Sequence, residues 1–101
     1  MKNVEWSLRA AASLDFYCGR IAADSPASAI KVRKEIVKSV AKLSKYPTLH
    51  QIDEYYPDDK GDIRRFFRWS FRIVYQIRET KVVVLNIFHT GMDPNKLKKK
   101  S

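Results

Sequence analysis

Cysteine is nearly missing from this sequence, and that alone narrows its chemistry. The single Cys18 cannot close a disulfide within the chain. No Cys/His cluster has metal-ligand spacing, so neither a disulfide framework nor a zinc site is expected. Glycine and proline are sparse as well, three and four residues, which leaves room for few turns. No apolar run approaches the length of a membrane span, and the opening MKNVEWSLRA lacks the apolar stretch of a signal peptide. A cytoplasmic protein, free of metal and cofactor and away from membranes, is the expectation. Acids are the other scarcity: eleven Asp and Glu face twenty Lys and Arg, a net charge of +9.

What is present fits one folded domain over residues 1–101, with 45% hydrophobic residues and twelve aromatics arguing against disorder. The charge is uneven. Residues 63–101 carry ten Lys and Arg against only Glu79 and Asp93. Such an asymmetry is a polyanion-binding distribution, whether the anion is a nucleic acid or an acidic protein segment.

Periodicity supplies the elements. Residues 3–6 form a short strand-like start, and Ser7 is placed to cap a helix over Leu8–Ala23 whose apolar stripe is Ala11, Leu14, Tyr17, Cys18 and Ile21. Ser25-Pro26 is a start signal for a second helix, because proline at the first helical position gives up an N–H that had no partner there. That helix is predicted over Pro26–Lys45, burying Ala29, Val32, Ile36, Val40 and Leu43 and exposing a series of lysines; Pro47 ends it. Residues 48–62 lack a pattern, are rich in acids and read as a loop. Three strand-like runs follow at Ile63–Trp69, Phe71–Arg78 and Lys81–His89, with Glu79-Thr80 as the last turn. In the middle run Phe71, Ile73, Tyr75 and Ile77 share one face, while Arg72, Val74, Gln76 and Arg78 share the other. The apolar VVVLNIF run suits a strand in mid-sheet. Residues from about 95 to 101 make a basic tail. The predicted architecture is α+β: an N-terminal strand and an antiparallel two-helix hairpin, about 8–45, packed on one face of a mainly antiparallel four-stranded sheet, its last three strands about 63–89. Arg72 and Arg78 then lie on the uncovered face. For the strand at 63–69, parity offers either Arg65 or the pair Arg64 and Arg68.

In its order of elements, and in the stretches VEWSLRA, LSKYP, IRRFFRWSFRIVYQI and KVVVLNIFHTGMDP, the chain resembles the RelE/ParE superfamily of type II toxins, also described as plasmid stabilization proteins. The resemblance covers nearly the whole chain and implies a growth-inhibiting toxin neutralised by a cognate antitoxin. A flexible acidic antitoxin segment would be steered electrostatically to a +9 domain.

The superfamily divides by target. RelE-like members cut ribosome-bound messenger RNA without a metal. The residues here that match their basic set are Arg65 and Arg72, supplemented by Lys60, with His89 as the acid or base available near the end of the last strand. The arginine and tyrosine of the ribonuclease pattern are not found in residues 89–98. ParE-like members inhibit DNA gyrase, have longer helical hairpins and need no catalytic set, and the long hairpin here favours that group. The resemblance leaves the ribosome-dependent nuclease, and an inactive antitoxin-binding relative, as alternatives. For contacts to target or nucleic acid, the candidates are Lys60, Arg64, Arg68, Arg78 and Lys98.

Overall fold

Two serines set where the helices begin. The computed structural model describes residues 1–55 and 61–90. After a strand β1 (Asn3–Trp6), Ser7 Oγ accepts from Ala10 N at 3.0 Å at the head of helix α1 (Leu8–Asp24) and donates to Leu85 O at 2.9 Å. One hydroxyl thus caps a helix and ties it to the sheet. Ser25 is the whole connection to helix α2 (Pro26–Ala41): its N–H donates to Ile21 O at 2.9 Å, and its Oγ accepts from Ser28 N at 3.2 Å.

α2 is shorter than expected. The α-helix ends at Ala41 and continues as a 3₁₀ turn over Lys42–Ser44 rather than running to Lys45. Ser44 is tied to the start of the chain, through Lys2 N to Ser44 O at 3.1 Å and Ser44 Oγ to Lys2 O at 2.6 Å. The tighter winding lets that tether form while Leu43 stays buried.

The remaining strands are β2 (Gln51–Ile52), β3 (Asp62–Arg68), β4 (Phe71–Ile77) and β5 (Lys81–His89). The sheet has five strands in the order β1-β5-β4-β3-β2, with β1 parallel to β5 and the other pairs antiparallel. Four were expected. The fifth, β2, lies in the acidic stretch read as loop, and two residues are too few to display an alternation. Trp69 also leaves its expected strand: Trp69-Ser70 is the two-residue turn between β3 and β4, and Trp69 has φ 51°.

The helical hairpin covers one face of the sheet. Ala10, Leu14 and Cys18 of α1 and Ile36 and Val40 of α2 join Leu43, Phe66, Phe71, Ile73, Tyr75, Val82, Val84 and Ile87 in one core. Each such large apolar side chain contributes roughly 1.5–3 kcal/mol by leaving water. Tyr75 is fully buried and donates its hydroxyl to Pro47 O at 2.6 Å, pinning the segment after α2 to the sheet. A register shift between Val74 and Tyr75 puts Leu85 out of step in β5. On the opposite face Ile63, Val74 and Phe88, with Leu85 against them, form a second, smaller apolar cluster.

Candidate functional site

The register of β3 on β4 decides which arginines share a face. Arg65 lies opposite Val74 and Phe67 opposite Arg72, so Arg65, Phe67 and Arg72 belong to the face away from the helices. Arg64 and Arg68 pair with Tyr75 and Phe71, core residues, and turn the other way. Of the two parities left open by the sequence, Arg65 is the one that joins Arg72.

The chain itself answers both charges. β2 carries residues 53–55 across this face, with Asp53 N donating to Ile63 O at 2.8 Å. Arg72 directs Nε and Nη2 at Asp53 Oδ2, at 3.1 and 2.7 Å. The Asp53 side chain is fully enclosed and that of Arg72 is 9% exposed. Asp53 Oδ1 accepts from Tyr55 N at 2.8 Å, a local turn that lays the Tyr55 ring 4.5 Å from the Arg72 guanidinium carbon. Glu54 bridges both arginines, Oε1 lying 3.5 Å from Arg72 Nη2 and Oε2 3.3 Å from Arg65 Nη2. Burial alone would raise the Glu54 carboxyl; a hydrogen bond from its backbone and the charges of Arg65 and Arg72 outweigh this and hold it below its ordinary value. Arg65 also donates to Gln51 Oε1 at 3.0 Å, stands over Phe67, and keeps a buried Nε with no hydrogen-bond partner among the described residues.

The sequence places Arg72 on the uncovered face, in the basic set that would meet a phosphate. Its strand parity is as expected, yet it is a buried ion pair with a carboxylate of its own chain. Asp53, Glu54 and Tyr55 were not singled out by the sequence. The available signal was an acidic loop adjoining an arginine-rich strand; which acid meets which arginine depends on the β2–β3 register, and two residues do not encode that visibly.

The other expected site residues scatter. His89 pairs with Phe71 in the sheet and lies on the helix side, its ring 5.6 Å from Phe71 and 6.3 Å from Tyr17 by centroids. It is therefore across the sheet from Arg65 and Arg72. Arg64 donates to Asp62 Oδ1 at 2.9 Å and His50 O at 2.7 Å. Arg68 donates to Ser39 Oγ of α2 at 2.8 Å and approaches Glu35 at 3.6 Å. Arg78 bonds Gln76 Oε1 at 2.7 Å beside the β4–β5 turn, about 20 Å along the strand from Arg72. Lys60 and Lys98 lie outside the described residues. Among the described residues, no group of three or more His, Cys, Asp and Glu is placed to hold a metal ion.

A groove of about 700 Å³ opens at the end of the hairpin, between α1 and the β3–β4 turn. Phe16, Tyr17, Ile21, Trp69, Phe71 and His89 dominate its lining. Trp69 and Phe16 leave more than half of their surface in water. Large aromatics exposed side by side are the kind of surface that favours contact with a partner.

A family model for the ParE toxin of the type II toxin–antitoxin system parDE matches residues 4–94. The chain belongs to the ParE toxin family. It is thus a type II toxin of the RelE/ParE superfamily, as the sequence resemblance implied. A solved chromosomal ParDE toxin–antitoxin system from P. aeruginosa is similar in fold, with a TM-score of 0.71 at 23% identity, over 88% of this chain and 96% of that one. No curated protein matches the sequence. In this ParE-family toxin no helix among the described residues is long and apolar enough to cross a membrane.

Proposed function

We propose that this toxin acts by binding a protein target, DNA gyrase, and not by cutting messenger RNA. The observation that carries this reading is the separation of the would-be nuclease residues. Arg72 is buried against Asp53, Arg65 shares Glu54 with it, and His89 stands on the opposite face of the sheet. A ribonuclease needs a proton-transfer group within hydrogen-bond reach of the reacting atoms, beside cations that meet the strained phosphate. Among the described residues His89 is not on the face of Arg65 and Arg72, and both arginines are already paired with carboxylates of the chain, whereas inhibition by binding requires only surface. Membership of the ParE family supports the same choice.

The proposed partner that silences the toxin is a cognate antitoxin. Its acidic part suits the +9 charge, and its apolar side chains suit the groove beside Trp69. The inactive antitoxin-binding relative remains the second reading of the same surfaces.

Purified toxin added to a gyrase supercoiling reaction, and separately to programmed ribosomes, tests the reading. Inhibited supercoiling with intact message is the expected result. Ribosome-dependent cuts that disappear in Arg65→Ala would overturn it, and growth unaffected by induced expression would leave only antitoxin binding. Arg72→Ala is unsuited to this test, because it strands a buried carboxylate and loses activity through instability.

A further inference from the structure

The lysines of α2 and the turn after it are unaccounted for by the arginine cluster or the groove. Lys31, Lys34, Lys38, Lys42 and Lys45 are all exposed. Steps of three and four residues place Lys31, Lys34 and Lys38 on one arc of α2, opposite the buried Ala29, Ile36 and Val40, and Lys42 and Lys45 carry the same spacing through the 3₁₀ turn that extends it. At about 1.5 Å per helical residue and 2.0 Å per 3₁₀ residue, the row is roughly 22 Å long. Residues 26–45 hold six cations and one acid, Glu35. Glu35 faces Arg68 of β3 at 3.6 Å, and the remaining cation, Arg33, is bonded to Asp15 at 2.8 Å. Like charges three and four residues apart repel along a helix, and the row repeats that arrangement four times. A complementary polyanion would relieve it.

We propose that this lysine row is a docking surface for the phosphate backbone of duplex DNA. Its composition selects the partner. Protein interfaces are depleted in lysine and built around aromatic or arginine anchors, and this protein's aromatic surface lies elsewhere, beside Trp69. Phosphate backbones are met by cations on flexible stems, without base-specific contacts. A row of five exposed lysines is of that kind. The surface would add nonspecific DNA affinity to the toxin and is independent of the gyrase reading, since it requires no gyrase.

The test uses the full chain and a fluorescent 20-base-pair duplex of arbitrary sequence, titrated at several salt concentrations. Five neutralised phosphates give a slope of log affinity against log salt near −4.5, about a 500-fold weakening from 50 to 200 mM. The variant Lys34→Gln/Lys38→Gln/Lys42→Gln keeps good helix formers at exposed positions and should fold normally, as circular dichroism will show. Its slope should fall by about 2.7. Failure to bind at 50 mM salt, or a slope unchanged in a folded triple variant, would overturn the proposal. Capture of a polyglutamate peptide through these lysines, with no DNA binding, would overturn it in favour of an acidic protein partner. Gyrase inhibition is measured separately, so the two readings can fail independently.

Discussion

Removing the Asp53 carboxylate should destabilise this toxin far more than removing a typical surface acid. In Asp53→Ala the Arg72 side chain, only 9% exposed in the intact protein, keeps Glu54, half-exposed and 3.5 Å away, as its acid among the described residues. The turn that Asp53 Oδ1 makes with Tyr55 N is lost at the same time. Breaking a buried pair from one side costs about 3–5 kcal/mol, and the nearness of Glu54 places this variant at the lower end, about 3 kcal/mol. Against a typical domain stability of about 5–15 kcal/mol that is a large share, and it corresponds to a fall in Tm of roughly 12–24 °C. Arg72→Ala should cost more, about 4–5 kcal/mol, because the fully enclosed Asp53 then loses its ion-pair partner among the described residues. The double variant Asp53→Leu/Arg72→Met should recover most of either loss, since two apolar side chains remove both desolvation penalties. Urea unfolding followed by tryptophan fluorescence and circular dichroism gives the three values and their coupling. The reasoning is refuted if Asp53→Ala costs less than about 1 kcal/mol, or if the double variant loses the sum of the singles.

Trp69 occupies a left-handed backbone position that bulky residues rarely adopt, so Trp69→Gly should stabilise the isolated toxin by about 1 kcal/mol while weakening antitoxin capture. A thermal melt and a pull-down titration on one preparation show both effects. Tyr75→Phe should cost about 1–2 kcal/mol in urea unfolding, because the Pro47 carbonyl loses its donor; burial holds the Tyr75 hydroxyl at about 12, so the bond persists across the working pH range. His50, stacked on Phe66 at 4.7 Å, has its pKa lowered by burial and then by Arg68. Its contribution is therefore complete above about 6.5 and is lost as pH falls through the folded-state value, and His50→Gln should flatten stability between pH 7 and 5. Cys18, raised by burial and only partly offset by Arg33, should resist alkylation at pH 7.5 until denaturant is added, as a timed thiol titration will show.

The parts of the fold legible in the sequence are those encoded by repetition. Seventeen residues of α1 and seven of β4 repeat their pattern often enough for chance to be outweighed, and serine-based starts mark where each helix opens. β2 has two residues, and the 3₁₀ turn at Lys42–Ser44 follows a tether to Lys2 that is distant in sequence. The site was half legible. Alternation placed Arg72 on the face away from the helices, but no periodicity reports that a loop from elsewhere lies on top of it. The same limit applies to His89: a strand-end histidine is visible in the sequence, while its face depends on the Leu85 irregularity that shifts the β4–β5 register.

The distribution of charge connects fold and function. Positive charge clustered after residue 62 is what the sequence displays, and the natural reading is a basic sheet that receives a polyanion. Much of that charge is consumed inside the structure. Arg64 is held by Asp62, Arg65 by Glu54, Arg68 by Glu35 and Ser39, and Arg72 by Asp53. Arginine suits this task, because its planar fork remains charged and hydrogen-bonded when enclosed, whereas a buried lysine is prone to lose its proton. The lysines of α2 are all on the outside. A substitution series separates the two sets: arginine changes on β3 and β4 should move stability, while lysine changes on α2 should leave melting temperature within a degree or two and alter only salt-dependent association. If the lysine variants unfold the domain and the arginine variants do not, this division of labour between the two cations is wrong.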